Sequence, residues 1–428
     1  MASEWASRTI ESLCVRVTSG GTPRTGVTAY YDGGSIPWVT TKEVNFGPVW
    51  STETCITERG MAESSAKLMP ADTVIVAMYG RGTAGRVAYA RVPVATNQAC
   101  CNLVVDPAEA DPRFVYYALW AAQARLDTLA NGSVQQNLSA RLIRDLRIGV
   151  PSLAEQRAIA HILGTLDDKI ELNRRMNETL EAIAQALFKS WFVDFNPVRA
   201  KAEGRDPGLP QQLADLFPDS FEDSELGEIP KGWRVTGLDE TATYLNGLAL
   251  QKHPPNDGSS LPVIKIAQLR AGHPDGADRA SADIPPAYVV EDGDVLFSWS
   301  GSLEVEIWCG GRGALNQHLF KVTSSRFPKW FYFLWTRHHL ADFRGIAAGK
   351  ATTMGHIQRG HLSAARALVP PPRLVEAMSA HFEALLEDLI AGRLQSHTLA
   401  ALRDALLPKI IAGELRVSDA ERSVGSMQ

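Results

Sequence analysis

Gly80-Arg81-Gly82-Thr83-Ala84-Gly85-Arg86-Val87 fits the spacing GxGxxGxV, in which small residues let a backbone close on phosphate groups. The dinucleotide version of that loop needs a helix directly after it, to present a positive end. Here RVAYARVPV follows, which reads as a strand. The kinase version needs a later Ala-x-Lys, HRD and DFG, and none is present. A hairpin turn fits better. Gly345 to Lys350, GIAAGK, has three residues between its glycines where a phosphate loop has four, and Ala351 stands where Ser or Thr would hold magnesium. Asp194-Phe195-Asn196-Pro197 lacks the second proline and the aromatic residue of the Asn-Pro-Pro-aromatic motif of adenine methyltransferases. His318, His338 and His339 have no carboxylate or cysteine at ligand spacing, and the five cysteines lack metal-site spacing. No nucleophile–base constellation appears. The chain is expected to have no catalytic residues, no metal site and no cofactor of its own.

What the sequence does contain is repetition. Ile36-Pro37-Trp38-Val39 returns as Leu261-Pro262-Val263-Ile264, and Val74-Ile75-Val76 before Gly80 returns as Val295-Leu296-Phe297 before Gly301. Asn97-Gln98 returns as Asn316-Gln317, and FVYYALW at Phe114 as WFYFLW at Trp330. Each copy offers short β-branched runs (PWVTT, DTVIVAMY, GRVAYAR, CCNLVV; LPVIKIAQL, DVLFSWS, VEIWC, HLFKVT) and one aromatic-rich helix. Each is therefore expected to be a mixed α+β domain. A polar turn follows the helix in each (Asn131-Gly132-Ser133; Gly349-Lys350).

After each copy comes a long amphipathic stretch. The first runs from Pro151 to Trp191, with Ser152 and Glu155 placed for a capping box. Its apolar stripe is Ile159, Leu163, Leu166 and Ile170, resuming after a polar break at Met176, Leu180, Ile183, Leu187 and Trp191. About forty residues make a helix of roughly 60 Å. The second, from Arg373, carries Val375, Met378, Phe382, Leu385 and Leu389, a polar gap at Gly392 and Ser396, then Leu399, Leu402, Leu406 and Ile410. Antiparallel pairing of the two would bring their polar breaks face to face. Between the first helix and the second copy, residues 195–230 are acidic and proline-punctuated, and are expected to be a linker with little regular structure.

With 428 residues the chain is long enough for two or three domains, and its 45% hydrophobic and 21% charged content is that of a globular protein. No run of about eighteen apolar residues suggests a membrane span, and MASEWASRTIESL lacks a signal pattern, so a cytoplasmic location is expected. The net charge of −5 is unevenly spread. Residues 1–150 and 231–370 carry +1 and +3, whereas 151–230 and 371–428 carry −7 and −2. Any nucleic-acid contact should therefore fall to the globular copies.

Taken in order, SGGTP at Ser19, YYDGGSIPWVTTKEV, NQACCNL, NGSVQQNLSARLIRDLRIGVPSLAEQRAIAHIL, LFKSWFVDFNPVRAKAEG and LFPDSFEDSELGEIPKGW resemble the specificity subunit of type I restriction-modification enzymes. The resemblance extends over about residues 5–415, and its most specific parts are IGVPSLAEQRAIA and LFKSWFVDF. The second rod departs from the pattern, with Val375-Glu376 where a Glu-Gln pair follows the prolines.

The resemblance implies an α+β architecture: two homologous mixed α/β target-recognition domains separated by two long helices forming an antiparallel coiled coil. The expected divisions are 1–150 and 231–370 for the recognition domains, 151–194 and 371–415 for the helices, 195–230 for the linker and 416–428 for a tail. It also implies a non-catalytic subunit that reads a bipartite, asymmetric double-stranded DNA target. Two methylation subunits would dock on the rods and carry out adenine methylation, and restriction subunits would join them. S-adenosylmethionine, ATP and Mg are expected on those partners, not on this chain. A rod of roughly 60 Å can span the 34–36 Å repeat of one face of B-DNA. Two other classes are weighed beside it. One is a coiled-coil scaffold whose globes bind protein or peptide. The other is a fused methylating enzyme, which the missing motifs oppose.

Base reading needs amides, hydroxyls and basic groups at strand ends and loops. In the first copy the candidates are Ser19, Thr22, Arg24, Thr40, Thr41, Lys42, Tyr79, Arg81, Arg86 and Gln98. In the second they are Lys252, Lys265, Gln268, Trp299, Ser300, Ser302, Gln317, His318, Lys350 and Thr352. Asn97-Gln98 and Asn316-Gln317 have an alternative role, bracing a turn. Ile159, Leu163, Leu166, Ile170, Leu180, Leu187, Met378, Phe382, Leu385, Leu389 and Leu399 are the expected coiled-coil and partner positions.

Overall fold

Runs of β-branched and aromatic residues between glycines and prolines become strands, and the repeat in the sequence becomes a repeat of topology. The computed structural model describes residues 5–80, 82–131, 137–255, 259–349, 355–417 and 419–420. The chain divides into two compact units, Met1–Glu171 with Thr398–Gln428, and Leu172–His397.

In the first unit a five-stranded sheet contains, side by side, Cys14–Ser19, Cys100–Val105, Val74–Ala77 and Val87–Ala90, with Pro48–Val49 at its edge. In the second unit Thr243–Asn246, Leu319–Thr323, Val295–Ser298 and Val305–Ile307 make a four-stranded sheet in the same order. Each unit adds a second sheet containing a parallel pair, three-stranded in the first unit and four-stranded in the second: Trp38 lies opposite Ala95 in one, Val263 opposite Ala314 in the other. An antiparallel pair ties each copy's first strand to its last, Ala6–Thr9 to Arg147–Val150 and Arg234–Gly237 to Arg366–Val369. The glycine-rich loop after Ala77 joins antiparallel neighbours, with Gly85 N–H donating to Ala77 O at 2.8 Å. It is a hairpin, not a phosphate loop.

Two expectations need correction. The aromatic-rich helix of each copy is two helices, Pro112–Ala121 then Gln123–Asn131, and Lys329–His338 then Leu340–Ala348. At the first break the Ala122 N–H is shared between Ala118 O and Trp120 O, which tightens the turn and redirects the chain. The acidic segment from 195 to 230 is also structured. It forms the helix Asn196–Ala202, a short helix Gln211–Ala214 and a hairpin of Phe221–Ser224 with Gly227–Pro230. Val198, Leu213, Phe217 and Ile229 explain this, since they bury into the second unit's aromatic core. Phe195 takes a left-handed backbone (φ 53°), braced by edge contacts of its ring with Phe221 and Trp233.

The long helices are Leu153–Phe188 and Pro372–Ile411, and each contributes a stretch to both units. Ser152 caps the first, its Oγ accepting from Glu155 N–H at 3.3 Å. In the first unit Ile159, Leu163 and Leu166 share one buried cluster with Leu406, Leu407 and Ile410, and with Phe114 and Tyr117 of the globe, while Leu399 and Leu402 pack against it half-buried. Ile170 is half-buried. In the second unit partners fall from 395 to 382 on one helix as they rise from 173 to 191 on the other, so the pairing is antiparallel. Met378, Phe382 and Leu389 are buried there, and Phe382 stacks on Trp330 with ring centroids 4.4 Å apart.

The stripe is displaced by one residue in that second stretch. Met176 and Ile183 are exposed, Leu180 and Leu187 half-buried, and Asn177, Ala184 and Phe188 take the inner positions. On the other helix Leu386 is buried and Leu385 only half-buried. A polar layer sets this face. Asn173 Nδ2 donates to Gln395 Oε1 at 2.9 Å and reaches Ser396 Oγ at 3.3 Å and Gly392 O at 3.4 Å. The two polar breaks do meet, as the pattern predicts. Gly392 is needed for that approach, because a Cβ there would lie 2.7 Å from Asn177 Oδ1. At the end of the first helix a π-turn, Lys189–Val193, adds a residue and turns Trp191 and Phe192 both inward.

Candidate nucleic-acid interface

In both units the last strand of the second sheet, Ala95–Thr96 or Gly313–Leu315, leads into a turn made by an Asn-Gln pair. Asn97 Oδ1 accepts from Ala99 N–H at 3.1 Å, and Asn316 Oδ1 accepts from His318 N–H at 3.2 Å. The asparagine of each pair therefore braces the turn. The chain can pass so close only beside glycine: a Cβ on Gly20 would sit 2.1 Å from Thr96 O, and one on Gly247 2.2 Å from Asn316 O. Each glutamine is then left on the surface of the turn with its carboxamide held from one side.

In the first unit Thr22 Oγ1 donates to Gln98 Oε1. Nearby, Trp38 Nε1 donates to Gly21 O at 3.0 Å, fixing the loop that carries Thr22. Ser19 ends its strand opposite Cys101. Thr40 is turned inward, its N–H donating to Glu43 Oε2 at 2.8 Å, and Thr41 beside it is half-buried. Tyr79 is 42% exposed and bridges in antiparallel fashion to Asn137. Arg86 donates to Asn45 Oδ1 at 2.8 Å. The side chains of Arg24 and Lys42 are exposed and neither hydrogen-bonded nor ion-paired among the described residues, so they can reach phosphate. Arg81 lies outside the described residues.

The second unit brings four candidates into one cluster. His318 Nδ1 lies 3.0 Å from Ser300 Oγ, and its Nε2 lies 3.4 Å from Gln317 Nε2. The Trp299 ring lies between those of His318 and His356, at 6.0 and 6.2 Å, and its Nε1 donates to Asn246 Oδ1 at 2.8 Å. Ser300 bridges to His356 as Tyr79 does to Asn137. Other candidates stand apart from the cluster. Lys265 is ion-paired with Asp278, and Gln268 Oε1 accepts from the Lys265 N–H at 3.3 Å. Lys252 is exposed on a short helix, and exposed Ser302 offers its carbonyl to Ser298 Oγ at 2.7 Å. Lys350 and Thr352 lie outside the described residues.

Asn45, Asn137, Asn246 and His356 belong to these surfaces and are not among the candidates chosen from sequence. For Asn246 the signal is in the repeat. Ser19 pairs Cys101 and Asn246 pairs Phe320, so Asn246-Gly247 is the counterpart of Ser19-Gly20. Asn137 and His356 are counterparts in the repeat but differ in residue type, and nothing local distinguishes Asn45.

The remaining chemistry-bearing groups are structural. His339 Nε2 lies 2.8 Å from Arg366 O, and the His338 ring packs against Phe188. Burial pushes the His338 pKa down, with the neighbouring His339 adding to the effect. Burial also pushes the thiols of Cys14 and Cys101 up to about 12 and that of Cys309 to about 11, so they stay protonated. Among the described residues no group of three or more His, Cys, Asp or Glu converges on a metal position, and no helix is long and apolar enough to cross a membrane.

Residues 2–182 match the family described as type I restriction modification DNA specificity domain. Over 97% of its length the chain is 27% identical to the type I restriction enzyme MjaIX specificity subunit of Methanocaldococcus jannaschii, covering 94% of that protein. It is 23% identical to the HindI specificity subunit of Haemophilus influenzae, over 64% of this chain and 70% of that one. The crystal structure of a type I restriction-modification S subunit from M. genitalium has a similar fold, with a TM-score of 0.55 at 18% identity, covering 95% of this chain and 96% of that one.

Proposed function

We propose, from the premise that this chain belongs to the specificity-subunit family of type I restriction-modification systems, that its two recognition domains read the two halves of a bipartite, asymmetric DNA target. The observation that carries this reading is the duplicated turn. Both units keep the bracing asparagine and the close-approach glycine, yet present different side chains around the glutamine that follows, exposed at Gln98 and half-buried at Gln317. One scaffold used twice with unlike lining is what two unlike half-sites require. Arg24, Lys42 and Lys252 would add phosphate contacts that hold the duplex without selecting sequence.

The chain itself would perform no reaction. Two methylation subunits, docked on the paired helices, would methylate adenine using S-adenosylmethionine, and restriction subunits would cleave with ATP and Mg. Exposed Leu172, Met176 and Ile183 on the first long helix supply apolar area for such docking.

The test is to map methylated bases in DNA from cells expressing this chain with the methylation subunits of its own system. The expected result is one split motif with two defined halves and an unread spacer. A single uninterrupted motif, or methylation without sequence preference, overturns the reading. Arg24→Ala and Lys42→Ala should weaken DNA binding by the complex at moderate salt and flatten its salt dependence while leaving the motif unchanged.

A further inference from the structure

The strand registers of the two units fix which residues correspond. Val76 pairs Val87 as Phe297 pairs Val305, so Arg86, just before the returning strand, corresponds to Glu304. Trp38 and Val263 hold the same place beside their parallel partners, so Asn45 corresponds to Arg270. A shared bond keeps the count between them: Thr40 N–H donates to Glu43 Oε2, and Lys265 N–H to Gln268 Oε1. Gln123–Asn131 and Leu340–Ala348 are both nine-residue helices after the same break, so Asp127 corresponds to Arg344. At these places the first unit has Arg, Asn and Asp, and the second has Glu, Arg and Arg. The charges have been rewritten together.

In the first unit Arg86 donates to neutral Asn45 Oδ1 at 2.8 Å, and Asp127 accepts from Gln123 Nε2 at 2.7 Å. Arg86 makes no ion pair among the described residues. In the second unit Arg344 Nη2 donates to Glu304 Oε2 at 2.8 Å and its Nε to Leu303 O at 3.1 Å. Arg270 Nε lies 3.9 Å from Glu304 Oε1, close enough for attraction but too far for a hydrogen bond. These three side chains line an open cleft of about 580 Å³ beside Gly301 and Ser302. Gly301 N–H donates to Gly355 O at 2.9 Å, next to the bridge of Ser300 with His356, so the cleft adjoins the candidate reading cluster. Glu304 is 25% exposed, whereas Arg270 and Arg344 are 61% and 52% exposed. The carboxylate is sunk and the guanidiniums are open.

Ion pairs this exposed contribute little stability. Two guanidiniums sharing one carboxylate leave one positive charge over, which a phosphodiester would balance. The Nη1 group of Arg344 and the donors of Arg270 have no hydrogen-bond partner among the described residues, and a guanidinium fork fits phosphate oxygens. We propose that this place in the repeat is a phosphate seat in both units, served by Arg86 in the first and by Arg270 and Arg344 in the second. Glu304 is there a positioning residue that holds the two guanidiniums. This rests on the DNA-reading function proposed above and deepens it by naming a backbone contact beside each reading turn.

The experiment uses the complex of the full chain with its methylation subunits and duplex DNA carrying the mapped motif, with affinity measured from about 50 to 200 mM salt. Arg86→Gln, Arg270→Gln and Arg344→Gln should each weaken binding alike on every sequence and lower the salt slope by about 1. Over that salt range each variant should therefore lose about threefold less affinity than the wild type. Glu304→Gln keeps an acceptor for Arg344 while removing the competing charge, so it should tighten binding at low salt. A plain structural ion pair predicts otherwise: Glu304→Gln and Arg344→Gln would weaken binding equally with the slope unchanged, and that result overturns the seat. A specific, bipartite motif bound with wild-type slope by all three arginine variants also overturns it, while leaving the DNA-reading function standing. A wild-type complex that retains DNA without sequence preference removes both. The slope decides the matter even where a variant yields less folded protein, because a smaller active fraction shifts every point of the salt series equally.

Discussion

The two units repeat one topology but fasten their helices differently. In the first, Asp167 is buried between Tyr117 and Arg403: the Tyr117 hydroxyl donates to it, and Arg403 donates at 2.7 Å while lying 4.4 Å over the Trp120 ring. In the second, Glu181 joins Arg393 and Arg337 at 2.7 and 2.8 Å, and Arg393 also reaches Glu306 at 3.2 Å. The first is a buried contact, with the Arg403 and Asp167 side chains 13% and 8% exposed, and Arg403 also reaches the exposed Asp404 at 2.8 Å. The second is a wetter net in which Glu181 and Arg393 each have two partners. Removing Arg403 is costly because it strands the buried Asp167. In the net, Glu181 keeps Arg337 when Arg393 is lost.

That difference is open to direct challenge. Arg403→Ala should cost about 3–5 kcal/mol, since it leaves Asp167 charged and buried. Arg393→Ala should cost about 1–2 kcal/mol, because Arg337 still holds Glu181 and Glu306, which loses its partner, is 29% exposed and screened by solvent. Urea unfolding of the full chain measures both, and equal losses would end the distinction. Within the second unit, Leu386→Ala should cost about 2–5 kcal/mol and Leu385→Ala less than half as much. The reverse order would restore the stripe expected from sequence. Gly392→Ala should cost about 1–3 kcal/mol by driving a methyl group into Asn177.

The smallest effect is one of pH. Burial raises the pKa of Asp167 despite the attraction of Arg403, and burial raises that of Glu306 despite Arg393. The folded chain therefore holds these protons more tightly than the unfolded chain. Their contribution is full below the ordinary carboxylate range and declines as pH rises through the raised values. Asp167→Asn should flatten that decline in the first unit's unfolding transition. A slope as steep as that of the wild type would show that the Asp167 carboxyl is not its source.

Much of the architecture was legible because it is periodic. Strand runs, the internal repeat, the Ser152 cap and the meeting of the two polar breaks all follow from residue type and spacing. What escaped depended on tertiary competition. A one-residue shift along a helix, as between Leu385 and Leu386, is decided by which face the Asn173 layer occupies, and apolar spacing alone fits either. The folded segment after Phe195 looked like a linker because its few apolar residues lack periodicity. They bury against aromatic rings from distant strands and helices. At the candidate surface, Gln98 and Gln317 are visible as a repeated pair, but their side-chain neighbours Thr22 and His318 are not. The first of these is remote in sequence, and the second is adjacent yet without a counterpart in the other copy, where Ala99 stands.

The amide layer at Asn173 also constrains how the chain can change length. One extra residue in a helix rotates everything beyond it by about 100°. A single insertion between Asn173 and the aromatic anchors at Trp191 and Phe192 would swing the carboxamide away from Gln395 and Ser396, or drag the anchors out of their core. Additions of about seven or eleven residues come back to within roughly 20° of the starting face. Viable size variants of this scaffold should therefore come in discrete increments, like notches on a ratchet.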